Sequence, residues 1–177
     1  MPSRSRVISY VTSAALAAAL LSSTRMLAAQ KTPRSDPDGP DPKVAVTASL
    51  AVGAARYDST GQGVCLEIPD GSIYGAPAAL YSVRQTTDKQ RLNMTLYRLK
   101  KGGDMLTLNV TIGNDTHSMS TLKVGDSGVP IGTGTAKLER NGAGATLTID
   151  AADAKGVKIT GTVTCAAFNR PLASNGL

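Results

Sequence analysis

Stretches in which apolar and polar residues alternate recur along this chain. The cleanest is 157–165, where Val157, Ile159, Gly161, Val163 and Cys165 take one side and Lys158, Thr160, Thr162 and Thr164 the other. Period two is the mark of a half-buried strand, because successive side chains leave opposite faces of the pleat. A first strand is expected over 44–52 and a second over 61–68. In the second, Val64, Leu66 and Ile68 share a face while Cys65 falls opposite with Glu67. Either a bulge sits beside Cys65 or both faces are covered. Segment 76–85 reads as a strand or a short helix.

Segment 87–101 carries two signals. Thr87-Asp88-Lys89-Gln90 fits a helix capping box, and Leu92, Leu96 and Leu99 have helical spacing. Against this, Asn93-Met94-Thr95-Leu96-Tyr97 alternates and Gly102-Gly103 is a two-residue hairpin signal. A turn there sets Leu99 opposite Leu106, Tyr97 opposite Leu108, Thr95 opposite Val110 and Asn93 opposite Ile112, and the strand is the favoured reading. A second reversal is expected at Gly113-Asn114-Asp115, with His117 and Met119 on the face of Val110 and Ile112. A third, at Asn141-Gly142, pairs Leu138 with Ala145, Ala136 with Leu147 and Gly134 with Ile149. A fourth, at 153–156, delivers the chain into 157–165. Four successive reversals make an all-β antiparallel meander. Its apolar face must be covered, so a β-sandwich or small barrel is expected over 44–168.

Composition adds a compartment. Residues 1–29 read as a signal peptide helix. Arg4 and Arg6 precede an apolar stretch rich in Ala and Leu, and Ala28-Ala29 supplies a cleavage site. Segment 30–43, with Pro33, Pro37, Pro40 and Pro42, is expected to be a disordered linker, and 169–177 a flexible tail. Loss of the leader removes Arg4, Arg6 and Arg25 from 19 basic residues, leaving 16 against 13 acidic and a formal +3. That reduced charge and export both argue against a nucleic-acid partner, and no transmembrane span is expected in the mature chain. Cys65 and Cys165 are the only cysteines, so an exported chain is expected to join them. With 41% apolar but 3% aromatic residues, the core must be aliphatic.

Candidate chemistry is sparse. Gly125-Asp126-Ser127-Gly128 resembles the nucleophile loop of chymotrypsin-like serine proteases for four residues, but Val129 stands where the next glycine belongs. The single histidine, His117, lies only ten residues upstream, so a Gly/Ser turn is favoured over a triad. Met94, Met105, His117 and Met119 are soft donors suited to Cu(I). The hairpin register separates Met94 from Met105 by roughly 20 Å at ~3.3 Å per residue, so core filling is favoured and no metal or other cofactor is expected. Glu67, Asp70 and Asp104 are the acids a carboxylate-based hydrolase or lyase would use. Arg84, Lys89, Arg91, Arg98, Lys100 and Lys101 form a basic run that suits an anionic envelope polymer such as an acidic polysaccharide, a phospholipid head group or an anionic protein patch. Outward Thr146, Thr148, Thr160, Thr162 and Thr164 form rows, as good strand residues do. Segment 159–165, Ile-Thr-Gly-Thr-Val-Thr-Cys, resembles the close of mycobacterial lipoprotein antigens that bridge an early and a final cysteine. The lipid-bearing cysteine of those antigens is missing here, and no function is carried over. The leading expectation is a non-catalytic, exported bacterial β-domain, secreted or periplasmic, that binds an envelope or extracellular partner. A small hydrolase and a purely structural envelope protein are the alternatives.

Overall fold

The computed structural model describes residues 41–171; the expected leader, most of the expected linker and residues 172–177 lie outside them. All regular structure within that span is β. Nine strands run β1 Lys43–Val52, β2 Ala55–Ile73, β3 Ala76–Thr86, β4 Gln90–Leu99, β5 Asp104–Ile112, β6 Asp115–Ser120, β7 Thr133–Asn141, β8 Gly144–Ala152 and β9 Lys158–Cys165. They form one antiparallel sheet in the order β6-β5-β4-β3-β2-β1-β9-β8-β7. Consecutive strands pair except β6 and β7, which are the two edges, and the first strand pairs with the last. The two edges then come together. Ser120 and Ile131 exchange two backbone hydrogen bonds of 2.7 Å, and the start of β5 lies against β7. The expected choice between sandwich and barrel therefore resolves to a nearly closed barrel.

Alternation decides what fills it. Val46, Ala48, Leu50 and Val52 of β1 point inward, as do Leu92, Met94 and Leu96 of β4, Leu106, Leu108 and Val110 of β5, and Ile159, Val163 and Cys165 of β9. Such an interior is packed with side chains, as in other small barrels. Its polar members are satisfied: Gln85 Nε2 donates to the Val46 carbonyl at 3.1 Å and Tyr57 Oη donates to Gln85 Oε1 at 3.3 Å. Burial raises the Tyr57 pKa above its ordinary value, with a bond to Ser59 opposing. Curvature needs bends within strands, and Gly161 provides one. Its φ is 145°, and a Cβ there would lie 2.0 Å from the Ser49 carbonyl oxygen. Only glycine lets β1 and β9 approach this closely.

Two registers differ from expectation. The β4–β5 pairing sets Leu96 against Leu106, Met94 against Leu108 and Leu92 against Val110, three residues from the Gly102-Gly103 hairpin. An odd shift exchanges the faces of a strand. The observed one buries three apolar residues of β4, whereas the expected one would have buried Asn93 and Thr95 and left Leu92, Met94 and Leu96 outside. Pairing ends at Arg98 and Asp104, and five residues connect them. At the β7–β8 hairpin the central pair is Gly142-Ala143, one residue later than expected, so Leu138 meets Leu147 and Ala136 meets Ile149. That shift of two keeps the faces intact. The capping-box residues form a turn between strands: Thr87 Oγ1 accepts the Gln90 N–H at 3.2 Å, the bond a helix cap would make.

Cys65 faces inward without a local bulge; the register shift in β2 lies between Ile68 and Gly71. Val64, Leu66 and Ile68 are half-exposed on the outer face. Cys65 and Cys165 form a disulfide, with 6.4 Å between their Cα atoms. Beyond Cys165 the chain turns under the barrel, where Asn169 exchanges backbone hydrogen bonds with Cys65 and Glu67 of β2. Asn169, at the start of the expected tail, is therefore buried. The core, the disulfide and all nine strands fall within the described residues, inside the unit Lys31–Leu177.

Candidate functional site

The barrel has two ends. The upper one carries the β1–β2, β3–β4, β5–β6 and β8–β9 connections. The lower one carries the β2–β3 turn, the β4–β5 loop, the β7–β8 turn and the segment after β9. Charge enters the inward rows at both ends, with His117 and Asp153 at the upper one and a larger group at the lower one. Glu67 follows Cys65 on the inward side of β2, opposite Tyr81 of β3. Arg98 follows Leu96 on β4, and Arg140 follows Leu138 on β7. Phe168 and Arg170 arrive on the C-terminal segment that Asn169 fixes to β2.

These six side chains meet. Arg140 Nη2 lies 2.5 Å from Glu67 Oε1, and Arg170 Nε lies 3.6 Å from Glu67 Oε2. The Glu67 side chain is 8% exposed, against 39% for Arg140 and 65% for Arg170. The Arg140 guanidinium stands 5.2 Å from the Tyr81 ring and 5.7 Å from the Phe168 ring, which meet edge to face. Arg98 lies 6.0 Å from the Tyr81 ring and holds Asp104 at 3.2 Å. Burial works to lower the Arg140 pKa, but Glu67 and Tyr81 outweigh it and the group titrates above its ordinary value. A cavity of about 500 Å³ opens beside this cluster, lined by Glu67, Arg140, Gly142, Ala143, Phe168 and Arg170. Chemically, the cluster is a carboxylate already held by guanidinium, with further guanidinium groups facing solvent. Such groups take anions through paired N–H donors.

The other acids are distributed. Asp70 pairs with Lys100 at 3.0 Å and Asp104 with Arg98, so Glu67, Asp70 and Asp104 each sit in a separate ion pair. Among the described residues, no three His, Cys, Asp or Glu side chains converge as a metal site would need. Met94 and Met119 are core residues and Met105 lies on the outer face of β5, where its Sδ accepts the Lys123 N–H at 3.5 Å. His117 lies at the upper end, its Nδ1 3.0 Å from Asp153 Oδ2. That bond lowers the Asp153 pKa most; burial opposes it, and the N–H groups of Val157 and Lys155 add to it. Ser127 closes a tight turn with Val124 through two 2.9 Å backbone bonds.

The expected basic run is divided. Arg84 and Arg91 lie on the outer face of β3 and β4 toward the upper end, with Arg84 paired to Asp41. Arg98, Lys100 and Lys101 lie at the lower end, and Arg98 and Lys100 hold acids. Arg98 belongs to the inward row of Leu96, not to the outer face that Thr107 and Asn109 share. Of the expected run, Arg98 alone joins the cluster around Tyr81. Arg140, Arg170, Tyr81 and Phe168 were not singled out by sequence. The available signal was a charge in an inward row: Glu67 beside Cys65, and Arg140 two residues beyond Leu138.

Compared with known protein families, with curated sequences and with solved structures, the chain matches none of them. Fold and site define a small, side-chain-filled antiparallel barrel, stapled by one disulfide and carrying a cluster of arginines at one end. No helix among the described residues is long and apolar enough to cross a membrane.

Proposed function

We propose that this barrel is a non-catalytic binding domain that recognises an anionic envelope polymer or protein through its lower end. One observation carries the reading: Arg98, Arg140 and Arg170 gather there, and among the described residues their ion-pair partners are two carboxylates, Glu67 and Asp104. Arg170 is held loosely and stays open to solvent, so an incoming carboxylate, phosphate or sulfate competes for it at little cost. The disulfide supports the reading, since such a bond persists in oxidising compartments, where a secreted or periplasmic domain would meet such a partner. The test is retention of the Lys31–Leu177 unit on a heparin matrix. Retention at low salt with elution as salt rises is expected, because exposed ion pairs are screened. Passage through the matrix at low salt would remove the proposal.

A further inference from the structure

The recess beside the arginine cluster has walls of opposite character. Arg140 and Arg170 line it, each holding one oxygen of Glu67, and Glu67 lines it too. Phe168 contributes an aromatic ring, and the β7–β8 turn contributes backbone at Gly142 and Ala143. A Cβ at Gly142 would meet nothing within 4 Å, so that wall faces open space. The far segment is fixed: the Phe168 N–H donates to the Ala143 carbonyl oxygen at 2.9 Å, and Asn169 is bonded to β2. The volume, about 500 Å³, falls within the roughly 300–1,000 Å³ of small-molecule sites. A recess of this kind admits a single ligand unit, whereas a folded protein partner would meet mainly its rim.

Glu67 decides what the recess admits. An ionised carboxylate offers about four acceptor sites and no donor. Among the described residues, Arg140 takes Oε1 at 2.5 Å and Arg170 approaches Oε2 at 3.6 Å, which leaves acceptor capacity beside the cavity. That capacity calls for an O–H or N–H donor. A second bare carboxylate brought alongside meets like charge instead. Acidic side chains of a protein patch are acceptors only, so they satisfy Arg170 and are repelled by Glu67. A sugar acid carries both kinds of group. Its carboxylate suits the exposed Arg170 guanidinium, its ring hydroxyls donate to Glu67, and its C–H face suits the Phe168 wall.

We infer that the recess takes one hexuronate unit of an acidic polysaccharide, its carboxylate on Arg170 and a ring hydroxyl on Glu67. The inference rests on the anionic-partner reading and narrows it from any polyanion to an acidic glycan. The test is an NMR titration of the protein with trigalacturonate, with maltotriose as the neutral trisaccharide and with hexaglutamate as the acidic peptide. Trigalacturonate should give saturating shifts centred on Gly142, Phe168 and Arg170, and maltotriose none. Hexaglutamate should bind about tenfold more weakly or worse, since it has no donor for Glu67. Ala143 is exposed and its backbone is not left-handed, so Ala143→Trp fills the recess without removing a charge. That variant should bind trigalacturonate about tenfold more weakly or worse, with its thermal midpoint unchanged. Heparin retention without trigalacturonate binding would overturn this inference and leave the anionic-partner reading standing. Hexaglutamate binding as tight as that of trigalacturonate, or equal affinity in Ala143→Trp, would overturn it too. Loss of both heparin retention and trigalacturonate binding would remove the inference together with the reading beneath it.

Discussion

Arg140 reaches from β7 to Glu67 on β2, with 2.5 Å between Nη2 and Oε1, and so joins strands that are four places apart in the sheet. The carboxylate is buried and its second partner, Arg170, is longer at 3.6 Å. Removing one member of a buried ion pair costs roughly 3–5 kcal/mol. Arg140 is partly exposed and Arg170 remains, so Arg140→Ala should destabilise by about 2–3 kcal/mol. Glu67→Gln in the same background should recover part of that loss, since it removes the stranded charge. Urea unfolding of the three proteins checks the order.

The disulfide closes a long loop, its ends 100 positions apart in sequence. In the chain-entropy account such a closure stabilises by about 4–5 kcal/mol, and native disulfides typically contribute ~2–5. Much of the barrel depends on that staple, because it ties the lower half of β2 to the end of β9. Paired Cys65→Ala, Cys165→Ala replacement should shift the denaturant midpoint by a corresponding amount with the β-sheet spectrum retained below it. Comparison of the oxidised and reduced wild-type protein gives the same quantity by a second route.

Two glycines separate close approach from mere turn chemistry. At Gly161 a Cβ would lie 2.0 Å from the Ser49 carbonyl oxygen, with φ of 145°. At Gly103 a Cβ would meet nothing within 4 Å, and the backbone is not left-handed. Gly161→Ala should therefore cost about 3 kcal/mol or more, by backbone displacement and strain. Gly103→Ala should be neutral within about 0.5 kcal/mol. Thermal melts of the two variants distinguish them.

The upper end makes the barrel sensitive to acid. Asp153 has a lowered pKa in the folded state, because His117 and two backbone N–H groups bind its charged form. A depressed carboxylate contributes stability that is present above its unfolded value, about 3.9, and is lost as pH falls through the folded pKa below that. Wild-type stability should exceed that of Asp153→Asn at neutral pH, and the gap should close as pH drops below about 4. Denaturation midpoints of both proteins across pH 2–7 show whether the gap closes in that window.

The fold was legible where alternation was unbroken. Segment 157–165 put Ile159, Val163 and Cys165 inward, and the interior rows of β6 and β8 follow the same parity. Registers were less legible, because glycine marks a turn without fixing its position. At Asn141-Gly142 the error of two residues left every face correct. At Gly102-Gly103 the odd error exchanged the faces of β4 and with them the placement of Arg98. The lower mouth was hidden for the same reason. Whether Arg98, Arg140 and Glu67 converge depends on sheet order and closure, and a meander read pair by pair supplies neither. The pairing of the first strand with the last is what sets Cys65, Glu67 and Phe168 at one end.

The most direct measurement compares two pairs of arginines on the heparin matrix. Arg98→Ala, Arg170→Ala removes guanidinium groups from the lower cluster, while Arg84→Ala, Arg91→Ala removes the same charge from the outer face near the upper end. If the lower end is the binding face, the first pair elutes at markedly lower salt than wild type and the second nearly with it. Equal shifts for both pairs would mean that net charge alone governs retention, and would contradict the account.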